Sequence, residues 1–271
     1  MDNLQDKIAS LGKRLGKLTT PETVTPYHEL RAQYQAQANR DIAALQAQSK
    51  QQRIASIFGQ ADLNPNWRFD TLVNDADDMS EAISFAQSFI RAYDDPNFRE
   101  QSSHMFIFYG DYGRGKSHLA GAIAHHLIEH FETSVLYRQL SSLLEMRFYS
   151  YDYDAKDGVA EQFREIQQDL LNVDLLILDE VCVNETMLKK NAQSWLGNLL
   201  RLRQAAKKNC ILITNHSLKD LSIALGKYCT ESIKEYDTYK IQFQGPSRRE
   251  EFVDDAVSHT PVTGYQPNQV K

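Results

Sequence analysis

Residues 110–117 read G-D-Y-G-R-G-K-S, three glycines closed by a lysine and a hydroxyl side chain. Glycine lets a backbone turn several N–H groups toward one centre and come close to an anion, and a lysine at the end of such a loop adds a point charge. The stretch follows the apolar run "HMFIFYG" and precedes the helical pattern "SHLAGAIAHHLIEH", so it sits between a strand and a helix. That is the setting of a phosphate loop, in which backbone and helix terminus wrap the phosphates of a nucleotide. On this reading Gly110, Asp111, Tyr112, Gly113, Arg114, Gly115 and His118 border the bound phosphates. Lys116 reaches the β and γ groups, and the Ser117 hydroxyl ligates magnesium. The plainer alternative, a glycine turn with an incidental lysine, fits the strand and helix context less well.

A carboxylate pair stands about sixty residues later. The apolar run "DLLILDE" ends in Asp179 and Glu180, and side chains at the carboxyl end of a parallel strand face the crevice where ligands bind. Asp179 suits the magnesium position and Glu180 the polarisation of an attacking water. The run "CILITNH" then places Asn215 at the tip of another strand. It can hydrogen-bond the water or the γ phosphate, or serve as a turn or cap residue before "SLKDLSIAL".

These groups need a scaffold, and the pattern supplies one. "HMFIFYG", "SVLYRQ", "LLILDE", "CILITN" and "YKIQFQ" are short apolar runs, with helical segments between the first four. Such alternation predicts an α/β fold with a parallel sheet covered by helices on both faces. Upstream, "DMSEAISFAQSFIRAYDD" predicts an amphipathic helix ending before Pro96, and "GQADLNPNWRFDTL" a loop. From His28 to about Phe58 a run rich in Ala, Gln and Arg predicts one long helix with a thin apolar stripe, suited to a connector or to a partner in another chain. Leu4, Ile8, Leu11, Leu15 and Leu18 mark a shorter amphipathic helix, and "TTPETVTP" a linker over 19–26.

Composition narrows the classes. The chain has 271 residues, 42% apolar and 24% charged, as a soluble globular protein does. No apolar run is long enough to span a bilayer and the amino terminus is too charged for a secretory leader, so a cytoplasmic protein without a membrane role is expected. The net charge of −6 argues against a protein that lives on duplex phosphates. Cys182, Cys210 and Cys229 show no metal-binding spacing and read as buried, reduced thiols; His126 and His130, one turn apart, read as solvent-facing. No N-K-x-D guanine signature is present.

Taken together, residues 110–117, Asp179 with Glu180, and Thr214 with Asn215 resemble the Walker A, Walker B and sensor 1 motifs of AAA+ ATPases. More narrowly, "FYGDYGRGKSHLAGAIAHHLIE", "LLNVDLLILDEV" and "LITNHSLKDLSIALG" are similar to DnaC-type bacterial helicase loaders and the related IstB-type transposition ATPases, over about residues 50–250. The resemblance implies an AAA+ P-loop core, ATP and Mg2+ as cofactors, Lys116, Glu180 and Asn215 in catalysis, and Ser117 and Asp179 at the metal. It further implies a helical partner-binding module over 1–58, an ATPase domain over 59–255, and a disordered tail over 256–271. The partner would be a hexameric, DnaB-like replicative helicase, with homo-oligomerisation upon it and loading onto single-stranded DNA. In the family a sensor 2 arginine lies near the end of the core; "GPSRRE" offers Arg248 and Arg249, of which Arg249 is the closer match by spacing, and either can instead be an exposed charge. Arg147, Phe148, Tyr149, Tyr151 and Tyr153 suit base stacking or ordinary packing of a helix end, and "RLRQAAKK" (201–208) reads as a solvated basic face.

Two departures from the family pattern stand out. No arginine occurs between Arg203 and Arg248, where the family presents a finger to its neighbour, and "GKYCTESIK" offers only Lys227 and Lys234. This predicts slow hydrolysis, or activation by a partner. The stretch after Gln244 leaves no room for a full helical lid. A transposition helper of the IstB type, or a helicase-binding module with almost no turnover, are the competing expectations.

Overall fold

A computed structural model describes residue 10 and residues 27–60, 63–101, 103–151, 158–182 and 188–248. Apart from residue 10, the helix expected over 4–18 lies outside the described residues, as do the linker at 19–26, the tail at 256–271, Tyr153 and Arg249. By internal contacts the chain separates into two units, Met1–Gln52 and Arg53–Lys271.

Helix α1 (Tyr27–Gln60) is the predicted long helix, with one residue more at its start and two at its end. Its Ala, Gln, Arg and Leu content favours helix at every turn. The described side chains from 28 to 49 are all exposed, Tyr34 at 71% and Leu45 at 66%.

Within the second unit, α2 (Asp77–Tyr93) follows a single 3-10 turn at Phe69–Thr71. It buries Met79, Ala82, Ala86, Phe89, Ile90 and Tyr93, steps of three and four that make one apolar stripe. Pro96 ends nothing further and instead starts α3 (Pro96–Gln101), because a first helical residue needs no N–H partner. Then come β1 (His104–Tyr109), α4 (Lys116–Phe131), β2 (Val135–Gln139), α5 (Leu140–Tyr149), α6 (Val159–Asn172), β3 (Leu175–Asp179), α7 (Lys190–Ala205), β4 (Asn209–Thr214), α8 (Leu218–Lys234) and β5 (Asp237–Gln242).

The five strands form one parallel sheet in the order β2-β3-β4-β1-β5. Period-two alternation splits the strand residues between two cores. Met105, Ile107, Leu176, Leu178, Cys210 and Leu212 face α5 to α8. Phe106, Phe108, Leu175, Ile177, Ile211 and Ile213 face α2 and α4. Burial on both faces explains why β1, β3 and β4 read as apolar runs, while β5, at the edge, is mostly exposed.

The basic stretch 201–208 departs from its expected solvated face. Arg203 is fully buried, and donates from Nη1 to Leu170 O and from Nη2 to Asn209 O, both at 2.7 Å. Leu170 lies in the last turn of α6, whose carbonyls lack helical partners, so the guanidinium closes that helix against the start of β4. Lys208 is held by Asp174 at 2.6 Å, and Arg201 lies over the Tyr228 ring. A charge pattern alone does not show which cations have carbonyls waiting for them.

Candidate nucleotide site

The glycine loop leaves β1 at its carboxyl end and turns sharply. Gly110 has φ of 129° and Gly113 of 76°, a region that side chains strain to enter. Space is equally tight: a Cβ on Gly110 would lie 2.2 Å from Phe243 O, and one on Gly113 2.2 Å from Ser247 Oγ. The loop is thus backed by the segment that follows β5, and Phe243 N donates to Tyr109 O at 2.9 Å. Gly115, left-handed, opens α4, whose first turn carries no acid and points its positive end at the cleft. Lys116 is buried, and its Nζ donates to Gly110 O and Asp111 O at 2.6 Å each. Arg114 braces the loop by donating to Phe243 O at 2.9 Å and pairing with Asp111 at 2.5 Å.

Asp179 ends β3 and is 8% exposed. Its Oδ1 accepts the Glu180 amide at 2.6 Å, while Oδ2 accepts Ser117 Oγ at 2.6 Å and also the Tyr137 hydroxyl. Ser117 and Asp179, predicted from motifs sixty residues apart, are therefore side by side. They form a set of hard oxygen donors of the type magnesium takes. Tyr137 keeps its proton, since burial and then the Asp179 charge push its pKa far above that of a free phenol.

Glu180 follows in a left-handed conformation, φ 53°, and Cys182 repeats it at 65°. Two bonds from β4 hold this turn: Val181 N donates to Ile213 O, and the Thr214 hydroxyl donates to Val181 O, each at 2.9 Å. Asn215 comes next and lines the same cleft. The alternative of a helix cap is taken by Ser217, whose hydroxyl accepts the Asp220 amide at 3.2 Å.

Lys116, Ser117, Asp179, Glu180 and Asn215 thus border one cleft of about 480 Å3. Gly110 and Asp111 stand behind it, lending their carbonyls to Lys116. His118 lines the wall, with its ring Nε2 shared between Thr71 Oγ1 at 2.9 Å and Arg68 O at 3.2 Å; burial lowers its pKa. Trp67, Leu72 and Val73 make the opposite, apolar wall. Of the two candidate arginines, Arg248 reaches the cleft: its side chain is 7% exposed and pairs with Asp75 at 2.6 Å. It also donates from Nη1 to Arg114 O at 2.6 Å and from its backbone to Gly113 O at 2.8 Å. Asp78 supports the same segment by accepting Gln244 N and Gly245 N. Burial alone would raise the Asp78 pKa, but the amides and the Arg248 charge outweigh it and the net shift is downward.

A second cleft of about 500 Å3 adjoins the first and shares Glu180 with it. Arg147, Phe148 and Tyr151 line it, with Phe148 and Tyr151 both 67% exposed. Arg147 lies over the Tyr151 and Trp195 rings, 5.3 and 5.7 Å from their centroids. Tyr149 is exposed and meets Phe148 edge-on, outside this lining. The three cysteines are buried and free, and burial pushes the Cys182 thiol up to about 12, so it is unreactive.

Sequence reasoning did not find Tyr137, nor the tie between Arg248 and Asp75. Neither carries a spacing signal, because each partner is brought in by a different segment.

The family model described as IstB-like ATP binding protein matches residues 30–232. The replicative helicase loader DnaC of Escherichia coli (strain K12) is 23% identical over 252 residues, 92% of this chain and 97% of the relative. The uncharacterized protein YdaV of the same strain is 25% identical over 218 residues, 79% of this chain and 83% of the relative. A crystal structure of the DnaC helicase loader has a TM-score of 0.53 at 20% identity, covering 66% of this chain and 98% of that one. The sheet and its helices accordingly share the fold of that solved loader. Among the described residues no helix is long and apolar enough to cross a membrane.

Proposed function

The chain belongs to the IstB-like ATP binding protein family, and from that membership we propose that it is a slow ATPase that loads a hexameric, DnaB-like replicative helicase onto single-stranded DNA. The observation that carries the ATPase part is the convergence of Lys116, Ser117, Asp179, Glu180 and Asn215 on one cleft. The loader part is supported by likeness to DnaC along 92% of the chain.

The loop amides and the start of α4 bind the phosphates, and Lys116 exchanges its two carbonyl partners for phosphate oxygens. Ser117 and Asp179 hold magnesium, which when bound neutralises the charge that gathers on the transferred phosphoryl group. Glu180, on its strained turn, orients and deprotonates the attacking water, and Asn215 fixes that water from the side of β4. Arg248 supplies a positive charge from the segment after β5. Residues 204–247 contain no arginine; Lys227 is exposed, and Lys234 is paired with Glu231 at 2.8 Å. A lysine lacks the forked donor set of an arginine finger, so turnover is slow until a partner completes the site.

The exposed α1, with residues 1–58 as a whole, docks on the helicase, and copies of the chain assemble there. Phe148 and Tyr151 of the second cleft stack bases of single-stranded DNA, with Arg147 beside them. One other reading is a helper of transposition that grips duplex DNA, as the resemblance to IstB-type ATPases implies.

Purified protein is mixed with a hexameric replicative helicase and forked DNA, and ATP turnover and helicase placement are followed together. Loading that requires ATP and fails when residues 1–58 are deleted supports the proposal. Binding of duplex in preference to single strands, with no helicase co-elution, overturns it in favour of the transposition reading.

A further inference from the structure

Asp179 holds its place through three donors that come from three different parts of the chain. The Glu180 amide binds Oδ1, and the hydroxyls of Ser117 and Tyr137 share Oδ2. Two of these are explained by the motifs. Ser117 follows the loop lysine, and the Glu180 amide is simply next in the chain. Tyr137 belongs to neither motif.

Its position follows from the sheet. β2 pairs with β3 in parallel, with Tyr137 opposite Ile177 and Gln139 opposite Asp179. Residues two apart share a face, so Tyr137 lies one step behind Asp179 on the α4 side, and its ring leans along the strand to bring the hydroxyl to the carboxylate. The ring is fixed there. Tyr137 is 4% exposed and packs against Trp67, with centroids 5.4 Å apart. Trp67 in turn is pressed against α4, where a Cβ on Gly121 would lie 2.6 Å from it.

We infer that Tyr137 is a positioning residue for the magnesium site, which holds the Asp179 carboxylate in the orientation that receives the ion. The terminal torsion of an aspartate is broad, and the ion asks for its oxygens at fixed directions. A Ser117 that offers a lone pair to the metal keeps its O–H for Oδ2, so two hydroxyls hold this oxygen, and Tyr137 is the one that is not itself a ligand and whose ring is fixed by packing. Partners of this kind typically contribute about 10- to 100-fold in metal affinity. This inference rests on the reading of the cleft as a nucleotide site.

The test is Tyr137→Phe in the full-length protein, which keeps the ring and its packing and removes one oxygen. Binding of a fluorescent ATP analogue is measured in EDTA and then along a magnesium titration. The expected result is metal-free affinity within about twofold of the parent, and a half-saturating magnesium concentration raised about tenfold. In an Asp179→Asn background, Tyr137→Phe should add nothing, an outcome that loss of packing alone would not produce. A parent that shows magnesium-dependent binding and a Tyr137→Phe titration that coincides with it overturns the role of Tyr137 alone. A parent that binds no nucleotide overturns the cleft assignment and the role of Tyr137 with it.

Discussion

The two neighbouring clefts share Glu180 and are built on opposite principles. In the first, three charged groups are already engaged: Lys116 by two loop carbonyls, Asp179 by three donors, Arg248 by a carboxylate and a carbonyl. Asp179 and Arg248 are held in place by neighbouring groups, and on the proposed reading Lys116 alone among the three gives up its loop carbonyls when a ligand arrives. In the second, Phe148 and Tyr151 stand at the end of a helix with two thirds of their surface open, beside an arginine that rests on aromatic faces. Such side chains adapt to whatever is laid across them. On the proposed reading, the difference teaches that one cleft suits a ligand of fixed geometry and the other a strand of variable sequence.

The largest effect that sharpens this comparison is expected from Lys116→Ala. Loss of the ammonium should weaken ATP binding by on the order of a hundredfold or more, which abolishes the rise in Tm that saturating ATP produces in the parent. Affinity for a short single-stranded oligonucleotide, measured without nucleotide, should be unchanged; a parallel loss would mean the clefts are one site. Next comes Glu180→Gln, expected to cut ATP turnover about a hundredfold while nucleotide binding stays within about twofold. Turnover at the parent rate would remove Glu180 from the chemistry. Phe148→Ala is expected to cost about tenfold in oligonucleotide affinity and nothing in ATP affinity. Fluorescence anisotropy reads the first and calorimetry the second, and an unchanged anisotropy curve would return Phe148 to ordinary surface. The smallest change is expected from Arg201→Ala. Its pair with Glu235 is about half exposed, so stability should fall by less than about 1 kcal/mol, and neither ligand should notice. A clear drop in oligonucleotide affinity would show that this basic face, and not the aromatic cleft alone, meets nucleic acid.

Much of the fold was legible because its signals are local. Four mainly apolar runs became β1 to β4, since a parallel sheet covered on both faces leaves little place for polar residues in its middle, whereas the fifth run became the edge strand β5, most of whose residues are exposed. The long helix was legible from propensity, and its lack of a core face from the thinness of its apolar stripe. The phosphate loop was legible for a stronger reason. Gly110, Gly113 and Gly115 adopt positive φ, Gly110 and Gly113 have no space for a side chain, and that demand writes glycine into the sequence wherever the geometry recurs.

What stayed hidden depends on contacts between distant segments. Arg203 and Arg201 stand two residues apart in one helix, and nothing in their neighbours says that one is buried against Leu170 and Asn209 while the other lies over Tyr228. Arg248 is likewise held beside the glycine loop by Asp75, which precedes it by more than 170 residues.

By itself, then, the order of residues determined which segments become strands and helices, where the backbone must turn tightly, and which groups carry charge to the carboxyl ends of the strands. Tertiary structure alone decided which hydroxyl meets Asp179 beside Ser117, how Arg248 is tied to the glycine loop, and which arginine is buried inside the core. Propensity and period act over a few residues, whereas a hydrogen bond to a buried carboxylate depends on strand register and helix packing that no short window of sequence contains.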